Sequence, residues 1–267
     1  MSDEVMSFTA HLTDLRRRLR NAMIAVVAGF IIAYTFSDLL FILLAQPLIH
    51  AWSEAGLGAP KLHFASPVEP FFTYIKVALI GGIFIAAPVI FYQVWLFVAP
   101  GLYKKEKRYA IPFTLFSALF FMGGASFGYF IVFPYGFRFF LGFAQKNLGK
   151  IQKLFGKEIN IGLKQTFELQ PTLMMGDYFA LVWRLLFAFG LIFELPLVIC
   201  FLAMVGLVDH KRLWKWNPYF IVLSFVVGAL LTPPEPVTQV MMAGPLIVLY
   251  NLSIVFAWYF ARRRRPK

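Results

Sequence analysis

The sequence predicts an all-α membrane protein, a bundle of six transmembrane helices with both ends of the chain in the cytoplasm. Three observations carry that expectation. Apolar residues make up 60% of the 267 positions, mean hydropathy is +0.73, and soluble domains stay well below both. The apolar residues also fall into six separate blocks, at about 21–44, 71–98, 109–134, 178–208, 218–231 and 237–260, five of them as long as a bilayer core requires. Finally, of the 25 Lys and Arg, sixteen fall on one side of that arrangement, seven on the other and two within spans. The positive-inside rule puts the richer side, with both termini, in the cytoplasm.

The elements follow in order. Residues 1–20 are polar and basic, with no short apolar core ahead of a small-residue cleavage pattern, so no cleavable signal is expected. Phe8, Leu12, Leu15 and Leu19 recur at helical spacing, the pattern of an amphipathic cytoplasmic segment. Trp52, Trp95, Tyr103, Tyr109, Trp214, Trp216, Trp258 and Tyr259 stand near block ends, as interfacial anchors would. Residues 135–176 form a long basic loop or cap on the outer side, and residues 262–267 a basic cytoplasmic tail. Between Pro218 and the Thr232-Pro-Pro-Glu-Pro236 break lies a block of only fifteen residues to Thr232, about 22 Å as a helix. That predicts a short fifth span and a locally thinned membrane. The whole chain reads as one integral-membrane domain, 1–267.

Glu194 stands as the lone charge in the run from Leu185 to Val208. A carboxyl at bilayer depth costs about 2.5–3.5 kcal/mol on insertion scales, so it calls for a cavity, a partner or a task. Pro196 breaks the backbone two residues later. Arg184 lies ten residues away on another helical face, and Lys76 sits near the outer end of its span, so neither is placed to pair with it.

At the cytoplasmic edge, Asp14 lies among Arg16, Arg17 and Arg18, and Glu106 among Lys104, Lys105 and Lys107. Spacing alone allows either local ion pairs or acids displayed to a basic ligand. The four histidines show no ligand spacing, so no metal is expected, and no nucleophile or phosphate-loop motif suggests an enzyme or a cofactor. Basic residues confined to membrane edges do not make a nucleic-acid surface. A proton-coupled transporter of small solutes remains the alternative, and it would need a second polar site at depth.

One collinear set of motifs is specific. It runs through His11-Leu-Thr-Asp-Leu-Arg-Arg-Arg-Leu19, Ser66-Pro67 with Phe71-Phe72, Ala87-Pro88-Val89-Ile90, Tyr92-Gln-Val-Trp95, and Pro100-Gly-Leu-Tyr103 with Glu106. It continues through Phe127-Gly-Tyr-Phe-Ile-Val-Phe-Pro134, Phe193-Glu-Leu-Pro196, Arg212, Pro218-Tyr219 and Leu230-Leu-Thr-Pro-Pro-Glu235. In this the chain resembles the TatC family of the twin-arginine protein translocase over nearly its whole length. The resemblance implies a receptor and translocase core, not an enzyme, in the bacterial inner membrane. It implies binding of twin-arginine signal peptides of folded proteins by Glu106 and Asp14, with Arg16 and Phe97 at the same rim. It assigns Glu194 to a polar point on the wall of a concave cup and makes the sixth span short like the fifth. Thr232, Glu235 and Gln239 become contacts for the single-span partners TatA and TatB, and Pro47, Pro88 and Tyr129 become structural positions. Export would draw on the proton motive force, membrane lipids would surround the bundle, and the receptor would self-associate.

Overall fold

The computed structural model describes residues 8–98, 110–142, 172–231 and 236–263. Nine helices and two very short strands occur there. Helix α1 (Phe8–Thr35) leads into α2 (Ser37–Glu54), then β1 (Leu62–His63) and α3 (Glu69–Val98). Helix α4 (Ala110–Phe127) passes through a π-helical turn (Gly128–Val132) into α5 (133–142). Strand β2 (Leu173–Met174) precedes α6 (Met175–Phe193) and α7 (Leu195–Val205), which are followed by α8 (His210–Leu231) and α9 (Pro236–Arg263). Six helical stretches are long and apolar enough to span a membrane, so this is an integral membrane protein.

Several boundaries differ from expectation, each for a local reason. The first span does not run on to Leu44. It breaks at Phe36 (φ −111°), after Thr35 has turned its hydroxyl back onto the Ile32 carbonyl at 2.6 Å. The amphipathic stripe from Phe8 to Leu19 runs unbroken into the first span as the start of α1. The third span continues past Pro134 through α5. A proline removes one N–H and crowds the carbonyl four residues back. Here the widened turn lets the Phe133 N–H reach the Gly128 carbonyl just before that proline, so the ladder survives. Nor is either of the last two helices short, at 22 and 28 residues. Pro218 lies inside α8 rather than starting it, and the basic, aromatic stretch from His210 supplies the first two turns.

Helix α1 lies along α3 at the Gly29–Gly82 crossing, where a Cβ on either residue would collide with the other's backbone. The buried core gathers around α6, with Val182, Phe189, Tyr178 and Phe179 meeting Phe133, Trp52 and Met242. Trp52 belongs to this interior and Trp95 to a second buried cluster with Phe113 and Leu197, at 5% and 7% exposure, so neither is an interfacial anchor. At one end of the bundle, β1 and β2 pair in parallel, Leu62 with Leu173 and His63 with Met174. The Glu69 carboxylate fastens that end by accepting from the Ala65 N–H at 2.6 Å and the Gly176 N–H at 2.7 Å.

Helix α2 is gripped from two sides. Pro47, buried inside it, cannot donate to the Leu43 carbonyl. The Tyr129 hydroxyl donates to that carbonyl instead, at 2.6 Å, and the Tyr178 hydroxyl donates to the Leu44 carbonyl at 2.7 Å. Pro88, by contrast, lies exposed in the middle of α3.

Candidate functional site

At the end of the bundle opposite the strands, the first turns of α1 reach the last turn of α3. His11 stacks on Phe97 with ring centroids 4.5 Å apart and planes 28° from parallel. One turn further along α1, Asp14 is in an ion pair, with Arg18 Nε at 2.6 Å from its Oδ2. Both side chains are only 19% exposed, while Arg16 is open to the outside. Two of the expected rim residues, Asp14 and Phe97, thus belong to one neighbourhood with Arg16 beside it. Glu106 lies outside the described residues.

Glu194 is buried at 7% exposure in the joint between α6 and α7. The joint follows from Pro196, which can join the first turn of a new helix but not continue an old one. The Glu194 N–H falls back on the Leu191 carbonyl at 3.1 Å, and the Glu194 carbonyl starts the next helix by accepting from Val198 at 2.9 Å. The side chain faces Ser117 and the backbone of Phe121 on α4. Trp95 Nε1, at the end of α3, donates to Ser117 Oγ at 2.8 Å. An indole can only donate. Ser117 Oγ therefore accepts from Trp95, and its own proton is left to point toward the Glu194 carboxyl.

Trp95, Ser117 and Glu194 thus form a buried polar cluster that ties three helices together. Phe113 and Phe201 close it off, with centroids 4.7 and 4.9 Å from that of Trp95. Among the described residues Glu194 Oε1 has no hydrogen-bond partner, and no base pairs with the carboxyl. Sequence reasoning found Glu194 but missed its two supports. Ser117 is one hydroxyl in a long apolar block, and Trp95 resembled an interfacial anchor. The usable signal was register: Trp95 is three residues from the end of α3 and Ser117 seven from the start of α4, within roughly 5–10 Å of one face.

Of the three residues expected to meet partner helices, Thr232 and Glu235 lie outside the described residues. The Gln239 amide donates to the Phe225 carbonyl at 2.9 Å and so joins α9 to α8. The same pair is closed at its other end by Asn217 donating to Asn251 at 3.1 Å and by Phe220 stacked on Tyr250 at 3.9 Å.

Six apolar helices around a buried carboxyl, with an aromatic and basic rim at one face, define a polytopic membrane protein with a polar station inside the bilayer. The family model described as Sec-independent protein translocase protein (TatC) matches residues 10–245. The chain belongs to the TatC family, whose members are protein-transport components rather than enzymes. It is 45% identical to the Desulforapulum autotrophicum protein named Sec-independent protein translocase protein TatC, over 98% of this chain and 88% of that one. With the Escherichia coli protein of the same name it shares 32% identity over 99% and 93% of the two chains. A crystal structure of the twin-arginine translocase receptor TatC superposes with a TM-score of 0.75 at 40% identity, covering 94% of this chain and all of that one.

Proposed function

We propose that this protein is the signal-peptide receptor of a twin-arginine translocase in the cytoplasmic membrane, with both termini in the cytoplasm. The consecutive arginines of the peptide dock at the rim where α1 meets the end of α3. Two guanidinium groups call for two carboxylates in bidentate, charge-assisted bonds, and Asp14 and Glu106 are the acids of that edge. The observation that carries this reading is the His11–Phe97 stack, which brings Asp14 to the helix that leads, eight residues past Val98, to Glu106. Phe97 offers an aromatic face to the peptide's apolar stretch, and Arg16 frames the acids.

TatA- and TatB-like single-span proteins pack near Gln239, Thr232 and Glu235, several copies of the receptor associate, and the proton motive force drives export of the folded cargo. The transporter reading needs a second proton-exchanging group beside Glu194. The neighbours that face its carboxyl are a serine and, behind it, a tryptophan, and neither serves as a base.

The test is peptide binding to the purified protein. Glu106→Gln abolishes binding of a twin-arginine peptide, and a twin-lysine peptide binds the parent only weakly. Unchanged affinity in the Gln variant removes Glu106 from the site. Uptake of a small solute that depends on Glu194, with no peptide binding at all, supports the transporter instead.

A further inference from the structure

A groove of about 280 Å³ runs along α8 where α7 turns into it. Its walls include Arg212, Trp216, Tyr219, Phe220, Leu223 and Tyr250. Arg212, Trp216, Tyr219 and Leu223 recur at intervals of four, three and four residues and so share one helical face. Eleven residues separate Arg212 from Leu223, a rise of about 16 Å. That is close to half of a roughly 30 Å hydrocarbon core, the depth of one leaflet.

The floor is fixed by the Phe220–Tyr250 stack and by the Tyr250 hydroxyl, which donates to the Leu213 carbonyl at 2.9 Å. The mouth is cationic. Arg212 is exposed, with Lys211 and Lys215 exposed beside it. Among the described residues the Arg212 guanidinium has no acidic partner, and the nearby Asp209 already faces His210 at 2.6 Å. The exposed rings of Trp216 and Tyr219 suit the headgroup boundary. The groove lies at the same end of the bundle as the His11–Phe97 rim, because Phe201 of α7 packs against Trp95 near the end of α3.

We propose that this groove binds one anionic phospholipid, with its phosphodiester on Arg212 and one acyl chain lying along Trp216, Phe220 and Leu223. Charge complementarity selects this occupant. Arg212 lines the mouth, with exposed Lys211 and Lys215 at nearby positions of the same helix, and a zwitterionic lipid would offer the same chain but bring its own cation beside them.

Native mass spectrometry of the delipidated full chain tests the site with dioleoyl-phosphatidylglycerol against dioleoyl-phosphatidylcholine. The parent retains the glycerol lipid at least about fivefold better, the scale expected for one basic residue at a membrane surface. Arg212→Gln removes the preference, whereas Lys61→Gln, exposed near β1, leaves it intact. Leu223→Trp fills the groove and lowers retention of both lipids with no change in charge. Equal retention of the two lipids by the parent overturns the proposal, as does an unchanged preference in Arg212→Gln or unchanged retention in Leu223→Trp. Spontaneous disulfide dimers of Tyr219→Cys, Cys200→Ser in delipidated detergent also overturn it, because a second copy would then cover the groove.

Discussion

At the strand-bearing end of the bundle, polar side chains are matched to partners. Glu69 takes two backbone N–H groups, Tyr129 and Tyr178 take two carbonyls of α2, and Arg138 meets Glu54 through Nη2 at 2.6 Å as well as through Nε. In the opposite half, Glu194 keeps one buried oxygen without a partner among the described residues, and the rim around Asp14 and Phe97 is held by one ion pair and one ring stack. Both halves are built from the same apolar helices, so burial alone does not separate them. Both spend polar groups on holding helices together, the second through Trp95–Ser117, Asn217–Asn251 and Tyr250–Leu213, but among the described residues the strand-bearing end has no buried polar side-chain atom left over. The other leaves acceptor capacity at defined positions, which is what a site for an incoming peptide or helix requires.

Removing a bond from the matched end should therefore cost stability and little else. Tyr129→Phe strands the Leu43 carbonyl, which Pro47 cannot serve, and should lower stability by about 1–2 kcal/mol. Tyr178→Phe removes a buried bond from the Leu44 carbonyl, which keeps the Leu48 N–H of its own helix, and should cost about 0.5–1.5 kcal/mol. Reaction of the lone Cys200 with a fluorogenic maleimide during heating reads both. If peptide binding falls in proportion to stability or further, the two ends are coupled and the division of labour fails.

Ser117→Ala tests the other side. The fold stays intact, but the buried Trp95 N–H loses its acceptor, so stability should fall by about 1–2 kcal/mol. The infrared carboxyl signal of Glu194, defined by its loss in Glu194→Gln, should also shift in frequency as its hydrogen bond disappears. Ser117→Thr should restore it. An unshifted signal would mean that Ser117 serves Trp95 alone.

What could be read from the sequence follows the same division. Six spans were legible because each is a long apolar run, and Glu194 because a single charge in such a run has no innocent explanation. Helix ends were misread wherever a proline was taken as a stop. Pro134 and Pro218 both lie within helices, one because a π-helical turn precedes it and the other because α8 starts two turns earlier. The partners of Glu194 were illegible for a different reason. A hydrogen bond between residues 22 positions apart, Trp95 and Ser117, leaves no periodic trace. The pairing of Pro47 with Tyr129 was hidden as well. It depends on which carbonyl the proline frees, and no spacing between the two residues encodes that.

The smallest expected effect is the most informative about the rim. Asp14 is engaged by Arg18 at 2.6 Å, so an arginine of the incoming peptide must displace a residue of the protein's own helix. A pair four residues apart near a helix surface contributes about 0.3–0.5 kcal/mol and rarely more than 1, so the competition is mild. Arg18→Gln should therefore raise affinity for a twin-arginine peptide by up to about fivefold, measured by titration calorimetry at low salt. Asp14→Asn should lower it in the parent and in the Arg18 variant alike. If Arg18→Gln instead weakens binding, Arg18 is orienting Asp14 rather than occupying it. The rim would then be preorganised in the way the opposite end is, and the contrast between the two halves would narrow to Glu194 alone.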